Sequence, residues 1–147
     1  MPEVVGLEHI YLTVSDLERS EAFYDRLMNV LGFRKNSFVI GDEKHINYFN
    51  RHFGFVLRPA RTNTPHDPYA PGLHHLCLRV ETDGDVRDAA AYLAEAGISV
   101  STPKYYPEYA PDYFACFLED PDGIRLEIAN FRADRRERHE HWERGKG

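Results

Sequence analysis

Cysteine is scarce in this chain. Cys77 and Cys116 stand far apart among 147 residues, with no C-x-x-C spacing. Neither a disulfide framework nor a thiolate metal centre is expected, and both read as small buried side chains. Positive charge is also short: 18 Lys and Arg against 24 Asp and Glu give a formal charge of −6 and a pI near 5.7. That balance excludes the clustered basic surface that a nucleic-acid partner requires. No apolar run approaches the roughly 20 residues that cross a bilayer. The first residues carry neither the basic nor the apolar region of a signal peptide. These absences lead to the expectation of a cytoplasmic protein that binds a small molecule and engages neither nucleic acid nor membrane. The 42% hydrophobic content is enough for one ordinary core, so a single compact domain is expected.

What is present is a repetition. Leu7-Glu8-His9-Ile10-Tyr11-Leu12-Thr13-Val14 returns as Leu73-His74-His75-Leu76-Cys77-Leu78-Arg79-Val80. Two copies of one strand, each carrying a histidine in the same place, imply a duplicated unit, and repeats of this kind fix architecture. In the first copy Ile10, Leu12 and Val14 alternate with His9, Tyr11 and Thr13, the period of a half-buried strand. Ser15 with Glu18 reads as a capping box. Leu17, Tyr24, Leu27 and Leu31 then share one helical face up to Gly32, which predicts a helix over about 15–31. Strand-like runs follow near 33–40, 44–50 and 53–58.

Pro59, Pro65, Pro68 and Pro71 punctuate the next stretch, a linker or flap over 59–71. The second half repeats the plan. A strand is predicted at 73–80 and a helix at about 84–96, with Val86, Ala89, Ala90 and Leu93 inward and Gly97 as its stop. Strands are expected near 98–102, 113–119 and 124–130, the last two joined by an Asp120-Pro121-Asp122-Gly123 turn. The fold class is therefore α+β: two βαβββ modules (about 6–58 and 72–130) forming a cupped mixed sheet, followed by a charged C-terminal helix within 131–147. In that tail, which includes Arg144, His139 and His141 stand two apart, so a helix points the imidazoles away from each other.

If each helix covers one face of its sheet, the alternation leaves His9, Tyr11 and Thr13 on the opposite face, and likewise His75, Cys77 and Arg79. His75, followed by Leu76, Leu78 and Val80, is the counterpart of His9, and His74 falls to a turn or helix-facing position. In the last strand Leu126 and Ile128 turn to the helix and Glu127 joins the histidines. A mid-strand carboxylate is costly unless it is paired or coordinated. It could pair with Arg79 or Arg125. Two imidazoles and one carboxylate on one face also make a site for a divalent metal with open positions.

On these residues the chain resembles the vicinal oxygen chelate superfamily, which includes glyoxalase I, fosfomycin-resistance proteins, extradiol dioxygenases, methylmalonyl-CoA epimerase and bleomycin-binding proteins. The resemblance is carried by Gly6-Leu7-Glu8-His9-Ile10, Ala22-Phe23-Tyr24 with Leu31-Gly32-Phe33, Gly72-Leu73-His74-His75-Leu76, and Asp120-Pro121-Asp122-Gly123-Ile124-Arg125-Leu126-Glu127-Ile128. It covers residues 6 to about 130. It implies paired βαβββ modules, a homodimer, and one divalent ion (Fe, Mn, Ni or Zn) held by His9, His75 and Glu127. The wall that holds the substrate would include Tyr11, Thr13, Arg79, Tyr106 and Tyr109, with further aromatics from Tyr105 and Tyr113 of the same loop over 104–113.

The branch of chemistry is less marked. Glyoxalase I carries a fourth ligand, a glutamate on the last strand of its first module, and here Val56 stands at that place. An isomerase would then need another base, from Glu43, His45, His52, Tyr48 or Tyr11. Arg136 and Lys104 fall where the thiol-transferase branch places cations, whereas Tyr11 departs from that branch's small hydroxyl residue. A three-ligand site suits dioxygenation equally. In every enzymatic branch the metal would bind vicinal oxygens and stabilise developing negative charge. The non-enzymatic alternative is a metal-free bleomycin-resistance-type protein that sequesters an aromatic or cationic ligand.

Overall fold

The computed structural model describes residues 1–143; Arg144 of the charged tail lies outside them. The elements run β1 (His9–Val14), α1 (Leu17–Val30), β2 (Arg34–Ile40), β3 (Glu43–Phe49), β4 (Gly54–Pro59), β5 (Leu76–Arg79), α2 (Asp83–Glu95), β6 (Lys104–Tyr105), β7 (Phe114–Glu119), β8 (Arg125–Ala129) and α3 (Ala133–Glu140). The fold is α+β, with two four-stranded mixed sheets ordered β1-β4-β3-β2 and β5-β8-β7-β6. In each sheet the first strand lies parallel to the last, and the remaining neighbours are antiparallel. No helix among the described residues is long and apolar enough to cross a membrane.

The chain forms two compact units. The first holds Met1–Asp67 with Asp120–Ile124; the second holds Pro68–Glu119 and the residues from Arg125 onward. The division at residue 67 falls inside the 59–71 linker read from the prolines.

In the first unit Leu12, Val14, Ile46, Tyr48, Phe55 and Leu57 bury one sheet face, as do Phe23, Tyr24, Leu27 and Met28 of α1. The helix cap differs from expectation by one residue. Asp16, not Ser15, is the N-cap and accepts from the Arg19 N–H at 3.0 Å. Ser15 is diverted: its N–H donates to Asp122 at 3.0 Å and its hydroxyl bonds the same carboxylate.

In the second unit Val86, Ala89, Ala90 and Leu93 of α2 are the buried positions, as the periodicity required. Thr82 and Asp85 form a reciprocal capping box. Both longer helices end alike. Gly32 and Gly97 take φ of +79° and +82°, and Phe33 and Ile98 donate back to Met28 and Leu93 at 2.9 and 3.0 Å, so glycine's freedom at positive φ closes each helix.

Two strand expectations are corrected. The run at 98–102 forms no strand, and β6 covers only Lys104–Tyr105. Ile98 is used in the helix cap, the Ser101 hydroxyl takes the Phe117 N–H at 2.8 Å, and Pro103 has no N–H to give. Strand 73–80 shortens to Leu76–Arg79, leaving His75 just before it.

Buried phenols give the first unit a pH limit. The Tyr24 hydroxyl donates to Asp120 at 2.8 Å and the Tyr48 hydroxyl to Asp25 at 2.7 Å. Burial, then the facing carboxylates, raises both phenols far above their ordinary value. A group whose proton is held more tightly in the folded chain stabilises fully below its unfolded pKa of about 10 and loses that contribution as pH rises beyond it. Tyrosinate absorbance is expected to show part of the tyrosine content ionising only as far-UV circular dichroism collapses, with Tyr48→Phe moving that transition to higher pH. A single smooth tyrosine titration with dichroism intact would contradict it.

Candidate functional site

On the sheet of the second unit, Leu126 and Ile128 are buried among the core residues, so Glu127 between them turns to the other face. Register sets its neighbours: Cys77 of β5 on one side and Phe117 of β7 on the other. Glu127 is only 3% exposed. Its Oε1 lies 3.6 Å from the Nε2 of His75, and its Oε2 accepts a hydrogen bond from the Tyr113 hydroxyl. The carboxylate is thus hydrogen-bonded at one oxygen and faces an imidazole with the other, which offsets part of the cost of burying it. Neither Arg79 nor Arg125 supplies the counter-charge: Arg79 lies over the Phe131 ring at 3.7 Å, and Arg125 donates to the Tyr69 hydroxyl at 3.2 Å.

Cys77 is exposed rather than buried. Its sulfur nevertheless sits beside the Tyr113 hydroxyl and the Glu127 carboxylate, and desolvation with that negative charge pushes the thiol up to about 12. It is a poor nucleophile at neutral pH. Cys116 is buried, as expected.

In the first unit the corresponding face carries His9, Tyr11 and Thr13 on β1, His45 and Asn47 on β3, and Gly54, Val56 and Arg58 on β4, by the alternation and the pairings His9 with Gly54 and Tyr11 with Val56. Gly54 makes room for His9, since a Cβ there would come within 3.4 Å of the His9 Cβ. Tyr11 pairs with Val56 as Cys77 pairs with Glu127, so the two registers put Val56 and Glu127 at equivalent positions. Val56 is a buried apolar side chain, 5% exposed.

The five candidate bases separate. The Tyr11 hydroxyl lies 3.0 Å from the Nδ1 of His45, a residue 3% exposed whose ring meets both Tyr11 and Phe38. The Tyr11 ring is also edge-on to His9, with centroids 5.7 Å apart. Glu43 is bound by Arg58 at 2.8 Å and Arg61 at 2.6 Å, and these guanidiniums, Arg61 foremost, hold its carboxyl at about 2. So weak a base is not a proton acceptor at neutral pH. Its pairing stabilises above the unfolded carboxylate value and is lost as pH falls toward 2. Tyr48 faces α1, and His52 is exposed in the turn before β4.

The cationic candidates are occupied. Arg136 binds the Glu81 carboxylate at 2.5 Å and its carbonyl at 2.8 Å, and stacks on Phe131. Lys104 lies 5.1 Å from the Tyr106 ring. Tyr106 stacks on Tyr109 at 5.7 Å and meets Phe117 edge-on. His141 contacts Glu137 at 3.7 Å, and α3 has no buried residue.

The structure therefore gathers His75 with Glu127, and Tyr11 with His45 beside His9. Among the described residues, no group of three or more His, Cys, Asp or Glu side chains is arranged to hold a metal ion. The sequence reading named Tyr113 only as an aromatic of the substrate wall and left out Phe117. Counting back through the 120–123 turn pairs Phe117 with Glu127, but nothing in the sequence marks the Tyr113 hydroxyl as the partner of that carboxylate.

Two βαβββ units, each presenting a histidine at the head of its first strand and one a buried glutamate beside it, define a two-module α+β protein with ligand-type residues on its sheet faces. The chain belongs to the glyoxalase/bleomycin resistance protein/dioxygenase superfamily, whose family model matches residues 6–128. It is 27% identical over 128 residues to biphenyl-2,3-diol 1,2-dioxygenase 2 of Rhodococcus globerulus, covering 84% of this chain and 62% of that one. Its fold is similar to a glyoxylase/bleomycin resistance protein/dioxygenase domain from Frankia sp. EAN1pec, with a TM-score of 0.73, 24% identity, and coverage of 88% of this chain and 100% of that one. It is also similar to a variant of the fosfomycin resistance protein FosX of Listeria monocytogenes, solved with Mn(II) and a dihydroxypropylphosphonic acid, with a TM-score of 0.67, 14% identity, and coverage of 91% and 98%.

Proposed function

We propose that the protein is a metal-dependent enzyme that binds two neighbouring oxygens of a small substrate at a divalent ion held by His75 and Glu127, with His9, the counterpart of His75 in the repeat, completing the set. The observation that carries this reading is the buried Glu127 carboxylate facing the His75 Nε2 at 3.6 Å on an otherwise apolar-flanked strand. The donors fit such an ion: imidazole nitrogen suits Fe, Ni and Zn, carboxylate oxygen suits Mn, and three ligands leave positions open. When bound, the ion would act as a Lewis acid toward negative charge developing on substrate oxygen.

The chain's own residues would do the rest. Tyr11, Thr13, Arg79, Tyr106 and Tyr109 would contact and orient the substrate. With Val56 in place of a fourth ligand and Glu43 held by two arginines, the proton would move through the Tyr11 hydroxyl and His45. His45→Asn is expected to reduce turnover by about 10²- to 10⁴-fold at unchanged metal content. Unchanged turnover would remove His45 from the mechanism.

The first experiment is metal analysis of protein purified without chelator. About one divalent ion per chain, lost in His9→Ala and in His75→Ala, supports the reading; no binding after reconstitution with Fe²⁺, Mn²⁺, Ni²⁺ and Zn²⁺ overturns it. Native mass measurement tests the homodimer that belongs to the same proposal. The stack of half-buried Tyr106 on exposed Tyr109 favours a second reading, a metal-free protein that binds an aromatic or cationic ligand, and that binding would survive both chelator and His75→Ala.

A further inference from the structure

We infer that Tyr113 is a positioning residue that commits Glu127 to using a single oxygen toward its ligand, an assignment that rests on the metal reading above. The two carboxylate oxygens are divided between different partners. Oε2 accepts the Tyr113 hydroxyl, while Oε1 alone faces the His75 Nε2 at 3.6 Å. A carboxylate free at both oxygens can chelate one cation with the pair; a phenol donating to one of them takes up one of its lone pairs and part of its charge, which favours the other oxygen as the ligand atom. One-oxygen ligation uses one coordination position instead of two. On a site that would receive two substrate oxygens, that difference would leave one more position open to them.

The tyrosine is built to stay. Its carbonyl accepts the Tyr106 N–H at 2.8 Å, its own N–H donates to Ala110 at 3.2 Å, and its ring lies between the edge of Tyr109 and the Arg132 guanidinium, 5.2 Å from the ring centre. The next residue is tied as well, because the Phe114 N–H donates to the Asn130 side chain at 3.1 Å, and Asn130 in turn reaches Asp83 at 2.6 Å. The hydroxyl thus comes from a braced turn, not from a free side chain. Cys77, opposite Glu127 on the neighbouring strand, lies beside the same carboxylate and the Tyr113 hydroxyl, and its thiol is the weaker donor of the two.

Tyr113→Phe removes only the hydroxyl and keeps the ring that packs against Tyr109 and Arg132. Titration with Mn²⁺, and the visible absorption spectrum of the Co²⁺-loaded protein, read the effect without any substrate. The variant is expected to bind Mn²⁺ about 10- to 100-fold more weakly and to give an altered Co²⁺ spectrum, as when an outer partner of a ligand is lost. Tyr105→Phe, whose hydroxyl binds Asp83 at 2.5 Å in the same region, should match the wild type in both. Equal affinity and an identical spectrum in a Tyr113→Phe protein with wild-type circular dichroism overturn the assignment while leaving the metal reading intact. Failure of the wild type to take up either ion overturns both. If Tyr113→Phe proves unfolded, Tyr113→Met, a flexible apolar side chain with no donor, is measured in the same way and decides by the same two readouts.

Discussion

Glu127→Gln is expected to lower the affinity for divalent metal by at least about 100-fold and to leave the fold intact. Glutamine has the volume and the shape of glutamate, so the strand keeps its packing between Cys77 and Phe117. Its carbonyl oxygen can still accept the Tyr113 hydroxyl in place of Oε2. What is lost is the negative charge on the oxygen that faces His75. A buried carboxylate, 3% exposed, sits where solvent screens little, so a cation gains more from that charge there than it would at the surface. The fold loses little, because a neutral amide is cheaper to bury than a carboxylate with no full counter-charge. Equilibrium dialysis against Mn²⁺, with a thermal melt of the metal-free protein alongside, separates the two effects. Equal Mn²⁺ affinity in wild type and variant would exclude Glu127 from the site. A large drop in the melting temperature of the metal-free variant would recast Glu127 as a structural group.

Much of this arrangement was legible in the sequence, because its signals were periodic. The alternation around Ile10, Leu12 and Val14 and around Leu126 and Ile128 fixed which side chains share a face, and a period of two allows no slip without exposing the core. The repeat reads His75 rather than His74 as the counterpart of His9; the structure puts His75 beside Glu127, and His74 lies between Tyr69 and His75, its Nδ1 2.8 Å from that of His75. Glycine at the helix ends was equally readable, since positive φ is a backbone demand that few other residues meet.

The failures came where side chains competed for backbone groups. Ser15 and Asp16 are both capping residues, and only the tertiary pull of Asp122 on Ser15 decides between them. The 98–102 run has strand-like residues, yet its N–H groups are diverted to a helix cap and to single bonds with Phe117. Arg136 stands at a suggestive spacing after Glu127, but Glu81 takes its guanidinium. Asp122 lies 107 residues from Ser15, and Glu81 lies 55 from Arg136, so no local pattern could name them.

Asp120→Ala is expected to destabilise the protein by about 3 to 5 kcal/mol, the largest stability loss anticipated for a single substitution here. The turn 120–123 looks like ordinary hairpin chemistry, but Asp120 is buried and its carboxylate serves three donors. Oδ2 accepts the Tyr24 hydroxyl at 2.8 Å, and Oδ1 accepts the N–H groups of Asp122 and Ile124, each at 2.8 Å. Tyr24 is completely buried against Phe23, Tyr48 and Phe55. Truncation therefore strands a phenol that water does not reach, at about 1 to 3 kcal/mol, and frees two N–H groups that together add a comparable amount. Burial also raises the Asp120 carboxyl above its ordinary range. That shift favours the folded state below the unfolded carboxyl value, and the benefit is lost as pH rises through the raised one. Asp120→Asn keeps an acceptor for part of this set without the charge, and should cost less than alanine. The double variant Tyr24→Phe with Asp120→Ala supplies the decisive comparison. With no stranded hydroxyl left, it should recover part of the loss, so the two substitutions cost less together than the sum of their separate effects. Urea unfolding of the four proteins measures this directly. Strict additivity would show that the Tyr24 to Asp120 bond contributes nothing beyond the turn itself.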